Sequence, residues 1–186
     1  MKPVKWRFPE DIGVYKLCAP ESGNDKETSR LQRHALQQKL KNKLLDFTGL
    51  SGFLYYDDQG KPFLLDGRHI SISHSGRCTL LALAGTPVGI DYQIADERLL
   101  TLYPKFMHPG EEDRFDRRSL RDMLRLWTAK EAVYKLFGRP GISFRRDIRV
   151  ENPARRLARV YFDERETEVN LIWREEENAM FCAAYK

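Results

Sequence analysis

The sequence predicts an α+β fold built as two lobes, each a long helix packed on an antiparallel sheet. Three observations predict it. Short alternating or apolar runs, bounded by turn residues, recur along the chain as strands do. Two long stretches, 27–47 and about 119–137, instead repeat their apolar residues at helical spacing. The order of strand, long helix and strands is then followed by a second long helix and strands, without a clean sequence repeat. The lobes are expected at 1–94 and 95–186, with "IADERLLTLYPKF" (94–106) as the connection.

Each element has a local reason. "IGVYKL" (12–17) alternates like a strand, and "APESGNDKE" (19–27) is turn-rich. The first long helix gathers Leu31, Leu36, Leu40, Leu44 and Leu45 near one face, while Arg30, Arg33, Lys39, Lys41 and Lys43 occupy other positions. "FLYY" (53–56) reads as a short strand before the "DDQGKP" turn. "HISIS" (69–73), "CTLLALA" (78–84) and "VGID" (88–91) read as strands parted by "HSGR" and "GTP". "PGEEDRF" (109–115) offers Pro and acids for a first helical turn. Ser119 is placed to cap the second long helix, Asp122 stands in the capping-box position, and Gly138 ends the run. Strands are expected at 145–150, 156–162, 167–173 and 179–185.

A chain of 186 residues that is 41% hydrophobic and 11% aromatic can bury a real core, which excludes a disordered class. The net charge of +5 favours an anionic partner without choosing among phosphate, an acidic protein and nucleic acid. Cys18, Cys78 and Cys182 are far apart and form no CxxC or Cys/His metal spacing, so a reducing cytoplasm is the simplest home. "MKPVKWRFPED" lacks the apolar run of a signal peptide, and no segment approaches the roughly 20 apolar residues of a membrane helix. A soluble cytoplasmic protein is the expectation.

"LWTAKEAVYKLFG" (126–138) poses the sharpest question. Around Trp127, the residues Leu120, Met123, Leu124 and Tyr134 form an apolar arc, extended by Leu126, Val133 and Phe137. Lys130 and Glu131 fall inside this arc, and Lys135 lies at its edge. Glu131 and Lys135 could form an ordinary i,i+4 pair, and Lys130 could snorkel along the face. Three charges together weaken that reading, because a carboxylate on an apolar face is costly unless a cation meets it. A metal on Glu131 and phosphates on the lysines would answer the puzzle.

"SISHSGRCTLLALAGTPVGIDYQ" (71–93) is the second dense stretch. Asp91 ends an apolar strand, and Gln93 shares its face if the strand continues. Ser73, His74 and Ser75 offer hydroxyls, an imidazole and turn amides to a phosphate or ribose, although serine and glycine also simply make turns. No GxSxG elbow accompanies His74, which argues against a Ser–His nucleophile. One carboxylate from this stretch plus Glu131 would suit Mg²⁺, which takes few protein oxygens and keeps water and substrate phosphate in its shell.

In order and spacing, "GRHISISHSG", "VGIDYQ" and "LWTAKEAVYKLFG" resemble the motifs of 4'-phosphopantetheinyl transferases of the Sfp type. The firm match covers roughly 61–138. The resemblance implies a pseudo-twofold α+β fold with coenzyme A in the cleft between the lobes. It implies Mg²⁺-dependent transfer of phosphopantetheine from coenzyme A to a serine of an acyl or peptidyl carrier protein, releasing 3',5'-ADP. Mn²⁺ is an alternative metal. Asp91 and Glu131 match the acidic metal ligands, and Lys130 and Lys135 the phosphate-contacting and catalytic lysines. Ser73 and His74 match contacts to the 3'-phosphate end of coenzyme A, and Lys61 a basic residue of the same site. An arginine of the first long helix is also expected there, Arg33 first and Arg30 as the alternative. Glu111 stands where the family often has an acid, as a minor member. Gln93 departs from the pattern: many relatives carry Glu there, so Gln93 coordinates through water or not at all.

The implied chemistry is positioning and electrostatics around a pyrophosphate, with Asp91, Glu131 and Lys135 as the catalytic set and Glu131, or a water it holds, as the base. The carrier partner is acidic, which the basic first helix and Arg114, Arg117, Arg118 and Arg121 complement. No nucleic-acid or membrane partner is expected, and one chain holding both lobes favours a monomer. The competing readings are a relative that binds coenzyme A or carrier protein without efficient catalysis, a Mg²⁺-dependent phosphohydrolase or nuclease, and a basic nucleic-acid-binding module. The (D/E)-x-K signature of nucleases is missing after Asp91, and no helix-turn-helix, zinc or RNP-like motif is present.

Overall fold

The structure is a computed structural model that describes residues 2–20, 29–151 and 156–186. The expected helix start at Glu27, and most of the turn-rich stretch before it, lie outside the described residues. The chain divides into two compact units, Met1–Thr86 and Pro87–Lys186. Both contain the helix and antiparallel strands that periodicity predicts.

In the first unit, strands β1 (Val4–Arg7), β2 (Gly13–Cys18), β5 (His69–Ser75) and β6 (Cys78–Ala84) form an antiparallel sheet in the order β1-β2-β6-β5. The lysine-rich start of the chain was not expected to supply β1. Its Trp6 is the buried residue of the strand. Helix α1 (Arg30–Thr48) lies on β6 and β2, where Leu40, Leu44 and Leu45 bury against Leu17, Ile70, Leu81 and Leu83. It starts at Ser29 through a reciprocal capping box. The Ser29 hydroxyl accepts from Gln32 N at 3.2 Å, and Gln32 Oε1 accepts from Ser29 N at 2.8 Å. It ends on Gly49 in the left-handed conformation (φ 70°). A small hairpin of β3 (Tyr55–Tyr56) and β4 (Pro62–Phe63) completes the unit. Cys18 and Cys78, 60 residues apart, face each other across β2 and β6 and form a disulfide. That bond sits poorly with the reducing compartment expected from cysteine number and spacing.

In the second unit, β7 (Val88–Ile94), β11 (Ala179–Tyr185), β10 (Arg165–Glu176), β9 (Leu157–Phe162) and β8 (Ile148–Val150) form an antiparallel sheet in that order. Helix α3 (Leu120–Phe137) covers β7 and β11. Because β7 takes its hydrogen bonds from β11, it belongs to this unit, and the division falls after Thr86 rather than after Ile94. The segment expected as a connection holds a helix of its own, α2 (Leu99–Phe106). Pro104 masks it in the sequence, yet Leu99 and Phe106 bury against the core and α2 packs on α3. "PGEEDRF" forms only one 3₁₀ turn, Pro109–Glu111, in place of the expected helix. Among the described residues, no helix is long and apolar enough to cross a membrane.

Candidate active site

Strand β7 supplies one wall of the site. Gly89, Asp91 and Gln93 share one face of the strand by its two-residue period. That face meets α3. A Cβ at Gly89 would lie 2.1 Å from Ala132 O and 2.3 Å from Leu136 N, so the helix backbone rests directly on the strand there. No other residue would permit this approach, and it brings the last two turns of α3 beside Asp91.

Helix α3 supplies the other wall. Its start follows the sequence reading: the Ser119 hydroxyl accepts from Asp122 N at 3.2 Å. It ends at Gly138 (φ 58°), whose N–H donates to Tyr134 O at 2.9 Å. Lys135 does not simply complete a surface pair with Glu131. Its ammonium donates to Asp91 Oδ1 at 2.8 Å, with the lysine partly exposed and the aspartate buried. Glu131 stands one turn earlier on the same helix. Burial, and secondarily the negative charge of Asp91, push its carboxyl up from 4.5 to about 7, while Lys135 pulls the other way. Gln93 Nε2 donates to Ile94 O at 3.0 Å. Beneath Asp91, its cross-strand partner Cys182 is buried, and burial raises its thiol far above the ordinary value.

Lys130 goes elsewhere. Its side chain is 0% exposed, and its ammonium reaches Glu111 Oε2 at 2.8 Å, Ile148 O at 2.7 Å and Phe144 O at 2.9 Å. An ammonium has three protons, so these three acceptors use its donor capacity inside the unit. In this arrangement Lys130 is engaged inside the unit, where the resemblance implied a contact with phosphate. Glu111 is equally enclosed: Oε2 also accepts from His108 N at 2.7 Å, and Oε1 accepts from Val150 N at 2.6 Å. Burial pushes Glu111 upward and Lys130 down to about 8, and each opposes the other's shift by its charge. The sequence reading underrated Glu111. The signal was present in two places: "HPGE" carries an acid three residues after a capping position, and Lys130 on an apolar face demands a buried acid.

The other expected residues belong to the first unit. Arg33 is exposed near the start of α1, and Lys61 is half-buried beside β4, with its backbone N–H donating to Asp57 Oδ1 at 2.8 Å. Ser73 is buried and His74 exposed on β5, which runs on through Ser75 instead of ending at Ser73. The His74 ring nitrogen Nδ1 lies 3.0 Å from Thr79 Oγ1. The structure therefore brings together Asp91, Glu131 and Lys135 on β7 and α3, with Gln93 on the same face of β7, and engages Lys130 with other partners. Among the described residues, no group of three or more His, Cys, Asp and Glu is arranged to hold a metal ion.

Comparison with known proteins finds both individual relatives and a family. The 4'-phosphopantetheinyl transferase gsp of Aneurinibacillus migulanus is 30% identical over 87 residues, which is 45% of this chain and 37% of that protein. The 4'-phosphopantetheinyl transferase of Bacillus subtilis is 29% identical over 101 residues, 51% of this chain and 44% of that protein. The alignments thus span less than half the length of either relative. A family model of the 4'-phosphopantetheinyl transferase superfamily matches residues 87–184, which contain β7, α3 and all but the last residue of β11. With more than half of its residues matched, and with the acids and lysine of β7 and α3 inside the match, the chain belongs to the 4'-phosphopantetheinyl transferase superfamily.

Proposed function

We propose that this protein transfers 4'-phosphopantetheine from coenzyme A to a serine of an acyl or peptidyl carrier protein, releasing 3',5'-ADP, with Mg²⁺ or Mn²⁺ as the metal. The observation that carries the reading is the meeting of Asp91, Lys135 and Glu131 inside the segment that the family model matches. The donor set fits a divalent ion. Asp91 raises the Glu131 carboxyl by like-charge repulsion, which a cation held by both would relieve. Two protein carboxylates also leave positions for water and substrate phosphate, as Mg²⁺ prefers. When bound, the ion would neutralise charge developing on the leaving phosphate.

The chain's own residues do the rest. Lys135 sets a fixed positive charge beside Asp91, where it can meet a pyrophosphate oxygen. Glu131, directly or through a water, accepts the proton of the carrier serine. The serine oxygen forms a new bond to the β-phosphorus. The phosphoanhydride bond breaks, and its electron pair leaves with 3',5'-ADP. Arg33, Lys61, Ser73 and His74 contact coenzyme A in this reading, which rests on their match to family positions. It also implies the pseudo-twofold lobe relation and a monomer that acts as one unit.

Carrier docking would use the basic residues of α1. Arg121, engaged with Glu175 at 2.6 Å, and Arg114, within 3.4 Å of Glu151, already have acidic neighbours and offer less to a partner. The deciding test is intact-mass spectrometry of several apo carrier proteins mixed with the protein, coenzyme A and Mg²⁺, with and without EDTA. A phosphopantetheine mass gain on a serine, lost with EDTA, is the expected result. Coenzyme A binding without any gain on any carrier would replace the transferase reading with that of a non-catalytic relative.

A further inference from the structure

We propose that the buried Glu111–Lys130 pair is a positioning device that fixes the rotation of α3 and so aims Glu131 and Lys135 at Asp91. The proposal rests on the transferase reading for its activity assay but not for its geometry. Apolar contacts hold α3 on its sheet through Leu126, Ala129, Val133 and Leu136. Such contacts are non-directional, and cores tolerate small slides and rotations of packed groups. Gly89 sets how close α3 comes to β7, at Ala132 and Leu136.

Hydrogen bonds from a charge are directional and short. Lys130 Nζ reaches three acceptors on three segments: Glu111 in the 3₁₀ turn, Phe144 in the loop after α3, and Ile148 in β8. Glu111 in turn is held by His108 N and Val150 N. The pair therefore ties the turn, the loop and β8 to one point on α3. That point is the residue immediately before Glu131, about 100° away around the helix. A rotation that moved Glu131 from Asp91 would tear Lys130 from Glu111 and Ile148 O, which are buried where water cannot replace the ammonium. Burying two charges is costly, and well-packed apolar groups often stabilise a fold as well or better. Rotational precision is what the ion pair adds beyond apolar packing.

The test is a double-mutant cycle with Glu111→Gln, Lys130→Met and the two combined. It reads thermal unfolding, Mn²⁺ affinity by electron paramagnetic resonance, and transfer kinetics with coenzyme A varied. Each single change leaves one buried group without its counter-charge. It should weaken Mn²⁺ binding and lower kcat by about tenfold or more, with KM for coenzyme A nearly unchanged. The double variant carries no buried charge, so it should regain much of the unfolding midpoint lost in the singles, but it lacks the directional tether, so its Mn²⁺ affinity and kcat should stay about tenfold or more below the parent protein. Three outcomes overturn the proposal. In one, Lys130→Met raises KM for coenzyme A tenfold while Glu111→Gln behaves as the parent, which would make Lys130 a ligand contact. In another, the double variant melts no higher than either single. In the third, it folds and matches the parent protein in metal binding and turnover, which would show that apolar packing alone aims α3. If the parent protein transfers nothing, the transferase reading fails, and the unfolding and Mn²⁺ arms still decide the positioning role.

Discussion

Lys135 and Asp91 lie 44 residues apart in sequence and 2.8 Å apart in the structure, joined across the contact between α3 and β7. Asp91 cannot shed its negative charge onto this lysine alone, because it also raises the carboxyl of Glu131. Asp91 thus acts on Lys135 and on Glu131 at once, which makes the site responsive to pH and to cations.

The first prediction is a pH dependence of stability. Glu131 has its folded-state value raised from 4.5 to about 7. Between these values the folded protein binds more protons than the unfolded chain, so stability falls as pH rises through this window. The loss levels off above about pH 7 and amounts to at most about 3 kcal/mol. Denaturant unfolding at a series of pH values should show this decline, and Glu131→Gln should flatten it. Mg²⁺ should also reduce the decline, because a cation on the carboxylate stabilises its charged form. An unchanged slope in Glu131→Gln would assign the titration to another group.

Much of this site could be read from the chain alone, for identifiable reasons. Helix α3 has Ser119 and Gly138 as clear punctuation, and its charges stand out against an apolar face, so both its bounds and the turn that carries Glu131 and Lys135 were legible. Asp91 was legible because it interrupts an apolar strand. The fate of Lys130 was not, because a lysine on an apolar face has two solutions, a bound anion or a buried acid. Only tertiary structure brings Glu111 from 19 positions earlier to supply the second. Helix α2 was hidden by Pro104, and the place of β7 in the second unit by its neighbour β11, which comes 85 residues later. The Cys18–Cys78 bond likewise depends on the register of β2 with β6, which no spacing rule reveals.

Gly89→Ala should uncouple the site from the fold. The added methyl would meet Ala132 O at 2.1 Å and Leu136 N at 2.3 Å, and both are backbone atoms that no rotamer change can move. Helix α3 must lift from β7, at a cost of about 1–3 kcal/mol for overpacking. The lift separates Lys135 and Glu131 from Asp91. Thermal unfolding should show the destabilisation. Transfer activity measured well below the new midpoint should still fall by about tenfold or more, as expected for a misplaced reacting group. A destabilised variant with full activity would show that the helix–strand distance does not govern catalysis.

Reduction of the Cys18–Cys78 disulfide should loosen the first unit. The bond closes a loop of 60 residues, and releasing it restores unfolded-chain entropy worth about 4 kcal/mol on the loop-closure model. Without reductant, the native protein should take up no alkylating reagent, because Cys182 is buried and its thiol is pushed far up. With reductant, two cysteines should become reactive, and hydrogen exchange should rise in β2 and β6. Two reactive cysteines before any reductant is added would show that these thiols are not bonded in solution.

Gln93→Glu tests how the site balances charge. Residue 93 shares the face of β7 with Asp91, and its amide nitrogen donates to Ile94 O at 3.0 Å. A glutamate there loses that hydrogen bond and adds a third carboxylate near Asp91 and Glu131. Without a divalent ion, the extra repulsion should destabilise the protein, and the Glu131 carboxyl should rise further. With the ion, an anionic oxygen binds Mg²⁺ more tightly than a neutral amide oxygen does. Calorimetric titration should therefore give an affinity for Mg²⁺ about tenfold higher than that of the parent protein. The difference in unfolding midpoint with and without Mg²⁺ should widen by the same linkage. Equal affinities in the two proteins would place residue 93 outside the coordination sphere, and Asp91 and Glu131 would then be the protein's whole contribution to the metal.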